Sequence, residues 1–95
     1  MIVLNVTYTC KPGQREAFLE RLLAEGIDTT SRAEEGNLKY DYYLPFDDDG
    51  EELLLVEKWQ DAAALDLHHS LPHFVRLCAF KGEYVIDSRA ERFEH

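Results

Sequence analysis

The chain has 95 residues, 45% of them hydrophobic and 12% aromatic, which suits one folded domain spanning 1–95 and excludes a disordered segment. Asp and Glu number 19 against 10 Lys and Arg, a formal charge of −9, so phosphate backbones and anionic bilayers would be repelled and nucleic acid and membrane surfaces are poor partners. No apolar run nears the ~20 residues of a membrane span, and Met1-Ile2-Val3-Leu4 carries no basic stretch or cleavage site, so the expected compartment is the cytoplasm.

Ile2 to Cys10 is rich in β-branched residues and reads as a first strand, with Ile2, Leu4, Val6 and Tyr8 on one face. Lys11-Pro12-Gly13 is a turn signal. From Gln14 the period becomes helical: Phe18, Leu19, Leu22, Leu23 and Ile27 form one stripe. This predicts a single helix of about four turns fading near Thr29-Thr30, slightly weakened by Gly26. Ser31 to Gly36 is a polar connection. Asn37 to Phe46 alternates as a second strand, with Leu38, Tyr40, Tyr42 and Leu44 on one face.

Asp47-Asp48-Asp49-Gly50 reads as a hairpin loop, and its consecutive acids lack the spacing of a calcium loop. A third strand follows from about Glu51 to Gln60. Side chains two apart share a strand face, so Leu53, Leu55, Glu57 and Trp59 point the same way. A carboxylate in an apolar row requires a partner or a cavity. Asp61 is a good N-cap for a helix over Ala62 to His69. Ser70 caps a second helical piece with Pro72 in its first turn and Phe74, Leu77 and Cys78 on one side, ended by Gly82. Glu83 to Phe93 reads as a last strand. Cys10 and Cys78 do not make a disulfide framework and read as two buried, inert thiols.

The order β-α-β-β-α-β is that of a ferredoxin-like α+β fold, a four-stranded antiparallel sheet with helices on one face. The other face is left open. A chain of this size with an aromatic-rich sheet gains by covering that face with a second copy, so a homodimer is expected.

Several short pieces now stand in one order: Lys11-Pro12-Gly13, Ser31-Arg32, Glu34-Glu35-Gly36-Asn37-Leu38 with Tyr40, Glu57-x-Trp59, and His68 followed by Ser70-Leu71-Pro72-His73-Phe74. Together they resemble the antibiotic biosynthesis monooxygenase family of dimeric α+β barrels. The resemblance implies a small-molecule enzyme. Its leading activity is cofactor-free oxygenation of a quinol or polyphenol, with a small aromatic or enol-type substrate and O₂ as partners. Two other readings stay open: a non-oxidative enzyme resembling the isomerase branch that handles the phosphorylated autoinducer-2 signal, and a non-catalytic small-molecule-binding module. The haem-degrading branch fits poorly. His68 stands where that branch has a Trp, and Asn5 is one register off, which flips its face.

The resemblance also ranks the side chains. His68, in phase with Ala64 and Leu65, faces the sheet either as a hydrogen-bonded core histidine or as an acid/base beside substrate. It is expected to line a largely apolar pocket with Trp59 and a strand-two tyrosine. Glu57 either shapes the turn after strand three or holds His68 or a substrate hydroxyl, which makes it the second catalytic candidate. Trp59 either packs or walls an aromatic substrate. Tyr40 and Tyr42 fill the sheet face or bind a substrate oxygen. Arg32 contacts substrate or, more simply, pairs with an acid such as Glu34. His69 should turn to solvent, and His73 should cap its helix at the surface. His69 and His73 are separated by Pro72 and have no third ligand nearby in sequence, so no metal is assigned. None of the five glycines sits in a G-x-G-x-x-G context, so no nicotinamide or flavin is assigned either.

Overall fold

A computed structural model describes residues 1–46 and 49–95. The expected Asp47–Gly50 loop therefore lies partly outside the described residues. The elements are β1 (Ile2–Cys10), α1 (Arg15–Ala24), α2 (Ile27–Arg32), β2 (Asn37–Tyr43), β3 (Glu52–Trp59), α3 (Ala62–His68), α4 (Pro72–Lys81) and β4 (Val85–Glu94). The strands form one antiparallel sheet in the order β2-β3-β1-β4, the ferredoxin-like arrangement.

The alternation in β3 is strict. Leu53, Leu55, Glu57 and Trp59 are buried and the residues between them are only partly covered. On the same face β1 contributes Ile2, Leu4 and Tyr8, and the helices contribute Phe18, Leu22, Ile27, Leu65, Leu77 and Phe80. Register places Glu57 between Leu4 of β1 and Tyr40 of β2, and Leu55 opposite Tyr42. Leu38 sits at a register shift between Asn37 and Lys39 and is exposed instead of sharing the Tyr40 face.

The single four-turn helix expected after the first turn is two helices. Gly26 takes a left-handed φ of 67°, and the Glu25 and Gly26 amides close the end of α1 on Arg21 and Leu23 carbonyls. Only glycine enters that conformation freely, so the chain breaks there and restarts as α2. The stripe read through unbroken because Leu22 and Ile27 land on the same core from both helices. Leu23 does not follow them and is 51% exposed. The thiol reading also needs correction: Cys10 is buried but Cys78 is exposed, because Leu77 and Phe80 are the residues α4 turns inward.

One turn decides the site. Gly36 has φ 87°, and a Cβ there would meet the Ala64 Cβ at 2.7 Å. The bare glycine lets the turn after α2 press directly on α3. The Gln60 amide donates to the Gly36 carbonyl at 2.8 Å and the Asn37 amide to the Glu34 carbonyl at 3.1 Å. Glu34 is thereby carried under the end of α3. Asp61 starts α3 as read from sequence, its side chain accepting from the Ala64 amide at 2.9 Å. No helix among the described residues is long and apolar enough to cross a membrane.

Candidate active site

Two turns of α3 beyond Asp61 bring His68 back over the sheet, where it is 1% exposed. Its ring lies 4.7 Å from the Trp59 ring, 5.9 Å from Tyr40 and 5.3 Å from Phe74, centroid to centroid. A histidine in such an aromatic shell must find a polar partner. That partner is Glu34: Nδ1 of His68 lies 2.5 Å from its Oε2. The same oxygen meets Nε2 of His73 at 2.7 Å. A carboxylate only accepts, so each of these ring nitrogens donates its hydrogen, and Nε2 of a neutral His68 is left as an acceptor. Burial lowers the pKa of His68 below its ordinary value, with Glu34 opposing that shift.

Glu57 does not hold His68. It and Trp59 share a strand face two residues apart, so the indole reaches back and Nε1 donates to Glu57 Oε1 at 3.1 Å. The carboxyl is only 6% exposed, and desolvation, against the Trp59 hydrogen bond, raises its pKa to about 7. Beside it stand Tyr8, Tyr40 and Tyr42, whose phenols are all pushed above their ordinary pKa, chiefly by burial. The Tyr40 and Tyr42 rings meet edge to face at 6.0 Å. The Tyr42 hydroxyl is buried and has no hydrogen-bond partner among the described residues. An unmet hydroxyl next to a carboxyl that titrates near neutrality is a combination a packed core avoids and a binding site uses.

Arg32 points elsewhere. Its Nε donates to the Tyr40 carbonyl at 2.9 Å, and its guanidinium pairs with Asp28 at 3.1 Å and Asp41 at 3.4 Å. It braces α2 against β2, and its acids are Asp28 and Asp41 instead of Glu34. His69 is exposed as expected. His73 departs from its expected surface capping role and is drawn in by Glu34. Sequence reading missed both Glu34 and His73, which lie 34 and 39 residues from their partners in the contacts they make. The one available signal was that a buried His68 demands an acceptor from somewhere. Two surface hollows, one along the start of β4 at Lys81 and Val85 and one beside α3 at Gln60 and Leu67, involve none of Tyr40, Tyr42, Glu57, Trp59 and His68.

The sheet and helices that carry these residues have the fold of known proteins. The sequence model of the antibiotic biosynthesis monooxygenase family matches residues 1–79. The Bacillus subtilis protein named "Putative monooxygenase YcnE" is 40% identical over 90 residues, covering 93% of this chain and 88% of that protein. The crystal structure of PA3566 from Pseudomonas aeruginosa superposes with a TM-score of 0.86 at 32% identity, covering 99% of this chain and 92% of that one. Rv0793 from Mycobacterium tuberculosis gives 0.85 at 30% identity, with 99% and 93% covered. With a match that runs through every strand and helix up to α4, the chain belongs to the antibiotic biosynthesis monooxygenase family.

Proposed function

We propose that this protein is a monooxygenase that oxidises an electron-rich quinol or polyphenol, or a related enol, with O₂ and without a bound cofactor. Glu57 carries the reading: it is a buried carboxyl with a pKa raised to about 7, so near neutral pH it is part ionised and matched to removing a phenolic proton. The names of the relatives support oxygenation as the reaction type.

In this mechanism Glu57 takes the hydroxyl proton and leaves a phenolate. The phenolate passes one electron to O₂, and the two radicals combine into a carbon-bound hydroperoxide. Loss of water then gives the hydroxyquinone. One quinol and one O₂ become one hydroxyquinone and one water, so the substrate itself supplies the electrons. Glu57 gives its proton back to the peroxide oxygen, and His68 takes the hydrogen of the oxygenated ring carbon as a proton through Nε2 and hands it to the departing hydroxide as water. Its Nδ1–H stays fixed on Glu34, which sets the ring's tautomer and orientation. The free Tyr42 hydroxyl positions a substrate oxygen, and Trp59 and Tyr40 supply aromatic walls. Arg32 contributes by holding the Tyr40 end of β2.

The protein works in this proposal as a homodimer. The sheet face away from the helices carries Val3, Val56, Tyr43 and Phe93, with Tyr43 and Phe93 both exposed in the single chain. Light scattering at micromolar concentration is expected to give about twice the 11.0 kDa chain mass, and a clean monomer overturns the pairing. Oxygen consumption with a panel of reduced quinols tests the activity. Uptake above the rate without protein is expected. Uptake equal to that background across the panel favours the isomerase-like or binding-only alternatives.

A further inference from the structure

Glu34, His68 and His73 are brought together from three elements that sequence keeps apart. Glu34 lies in the turn after α2, His68 ends α3 and His73 begins α4. Their ligand atoms, one carboxylate oxygen and two ring nitrogens, all lie within 4.8 Å of one another. Both nitrogens aim at a single point, Glu34 Oε2, at 2.5 and 2.7 Å. The side chains are nearly enclosed, 8%, 2% and 11% exposed in the order Glu34, His68, His73. The Glu34 and His73 side is the open one.

We propose that these three residues form a binding site for a divalent first-row transition metal, with Zn²⁺ as the type ion. The donor set, two imidazoles and a carboxylate, is that of zinc sites that keep a fourth position for water. Nitrogens whose N–H bonds converge on one point have lone pairs that converge there once the hydrogen moves to the other ring nitrogen. A neutral histidine needs only that change of tautomer to become a ligand, so the metal-bound chain is a separate state from the oxygenating one, in which the His68 Nδ1–H stays on Glu34. Metal–ligand bonds of about 2.0–2.2 Å set ligand atoms ~3.3 Å apart in a tetrahedron. On metal entry the carboxylate therefore retreats from each nitrogen by somewhat under ~1 Å, through Glu34's own side-chain torsions, and the two ring nitrogens, which now span up to 4.8 Å, close toward that ~3.3 Å spacing by rotation of the His68 and His73 side chains. The fourth position is left to a water on the Glu34 and His73 side, where the side chains are 8% and 11% exposed. The pair considered from sequence, His69 and His73, contains only one of the ligands: His68 takes the place of His69, and Glu34 arrives through the Gly36 turn, far along the chain.

The test is made on the full chain stripped of metal with a chelator, with no substrate present, so its outcome is independent of the proposed oxygenation. Zn²⁺ is titrated against a chromophoric chelator, and Co²⁺ is followed by visible absorption. One equivalent of Zn²⁺ bound at micromolar affinity or tighter is expected, with the intense visible bands of four-coordinate Co²⁺. Glu34→Gln and His73→Gln, checked for folding by circular dichroism, are expected to weaken binding at least tenfold. His69→Ala is expected to bind like the parent. Wild-type binding weaker than millimolar, or Co²⁺ bands as faint as those of the hydrated ion, overturns the site without any variant. Undiminished binding by a folded Glu34→Gln or His73→Gln chain, or loss of binding in His69→Ala, overturns it equally.

Discussion

Replacing Glu57 by Gln isolates the electrostatics of the site from its chemistry. Glutamine keeps the shape and the oxygen that accepts from Trp59 Nε1 at 3.1 Å but cannot ionise. In the folded protein Glu57 titrates at about 7 against an ordinary 4.5. Below pH 4.5 both folded and unfolded chains hold the proton and the carboxyl contributes no penalty. Between 4.5 and 7 the unfolded chain loses its proton while the folded chain keeps it. The folded state binds more protons, so stability falls as pH rises through this window and is level above it. At roughly 1.36 kcal/mol per pKa unit the loss is about 3 kcal/mol. Urea unfolding of both proteins at fixed concentration, from pH 4.5 to 8, reads it directly. The wild type should lose about 3 kcal/mol relative to Glu57→Gln across that range, whatever constant offset the new amide introduces. Because other groups titrate alike in both proteins, parallel stability curves would refute the claim that Glu57 is a strained, desolvated acid.

Gly36→Ala should cost more than Gly13→Ala. Both glycines have positive φ, 87° and 76°, a strain of roughly 1–3 kcal/mol for alanine, but only at Gly36 does the new Cβ also meet backbone-anchored Ala64 at 2.7 Å; thermal unfolding that ranks the two equally would remove the close approach from the argument. His68→Gln is expected to lower turnover at least tenfold, a loss of about 1.4 kcal/mol in transition-state stabilisation, measured as kcat on the best quinol; unchanged turnover would reassign His68 to architecture. His68→Ala is a poorer probe, since it also empties a buried position against Trp59 and leaves Glu34 with one donor.

The sequence was most legible where one physical rule acted alone. The period-two row of β3 placed Leu53, Leu55, Glu57 and Trp59 on one buried face, because alternation follows from strand geometry whatever packs above it. Asp61 capping α3 and Pro72 opening α4 were equally local. The α1–α2 break was hidden because a left-handed glycine leaves no trace in hydrophobic spacing: Ile27 falls in phase with the helix it does not belong to. Partner identities were least legible. Side-chain spacing said that Glu57 and His68 each needed a hydrogen bond, but not that Trp59 answers one and Glu34 the other. The Glu34 pairing is made by the Gly36 turn, a contact between α3 and a loop nearly 30 residues earlier. The same turn recruits His73, which local helix reasoning put at the surface.

The most direct test of the account is the fate of the two oxygen atoms. The metal-stripped protein is given ¹⁸O₂ and a reduced quinol, and product and water are analysed by mass spectrometry. The account predicts one ¹⁸O atom in the hydroxyquinone and one in water, with one O₂ consumed per quinol and a rate that collapses in Glu57→Gln. Quinone without ¹⁸O, accompanied by hydrogen peroxide, or a rate indifferent to Glu57, would contradict it.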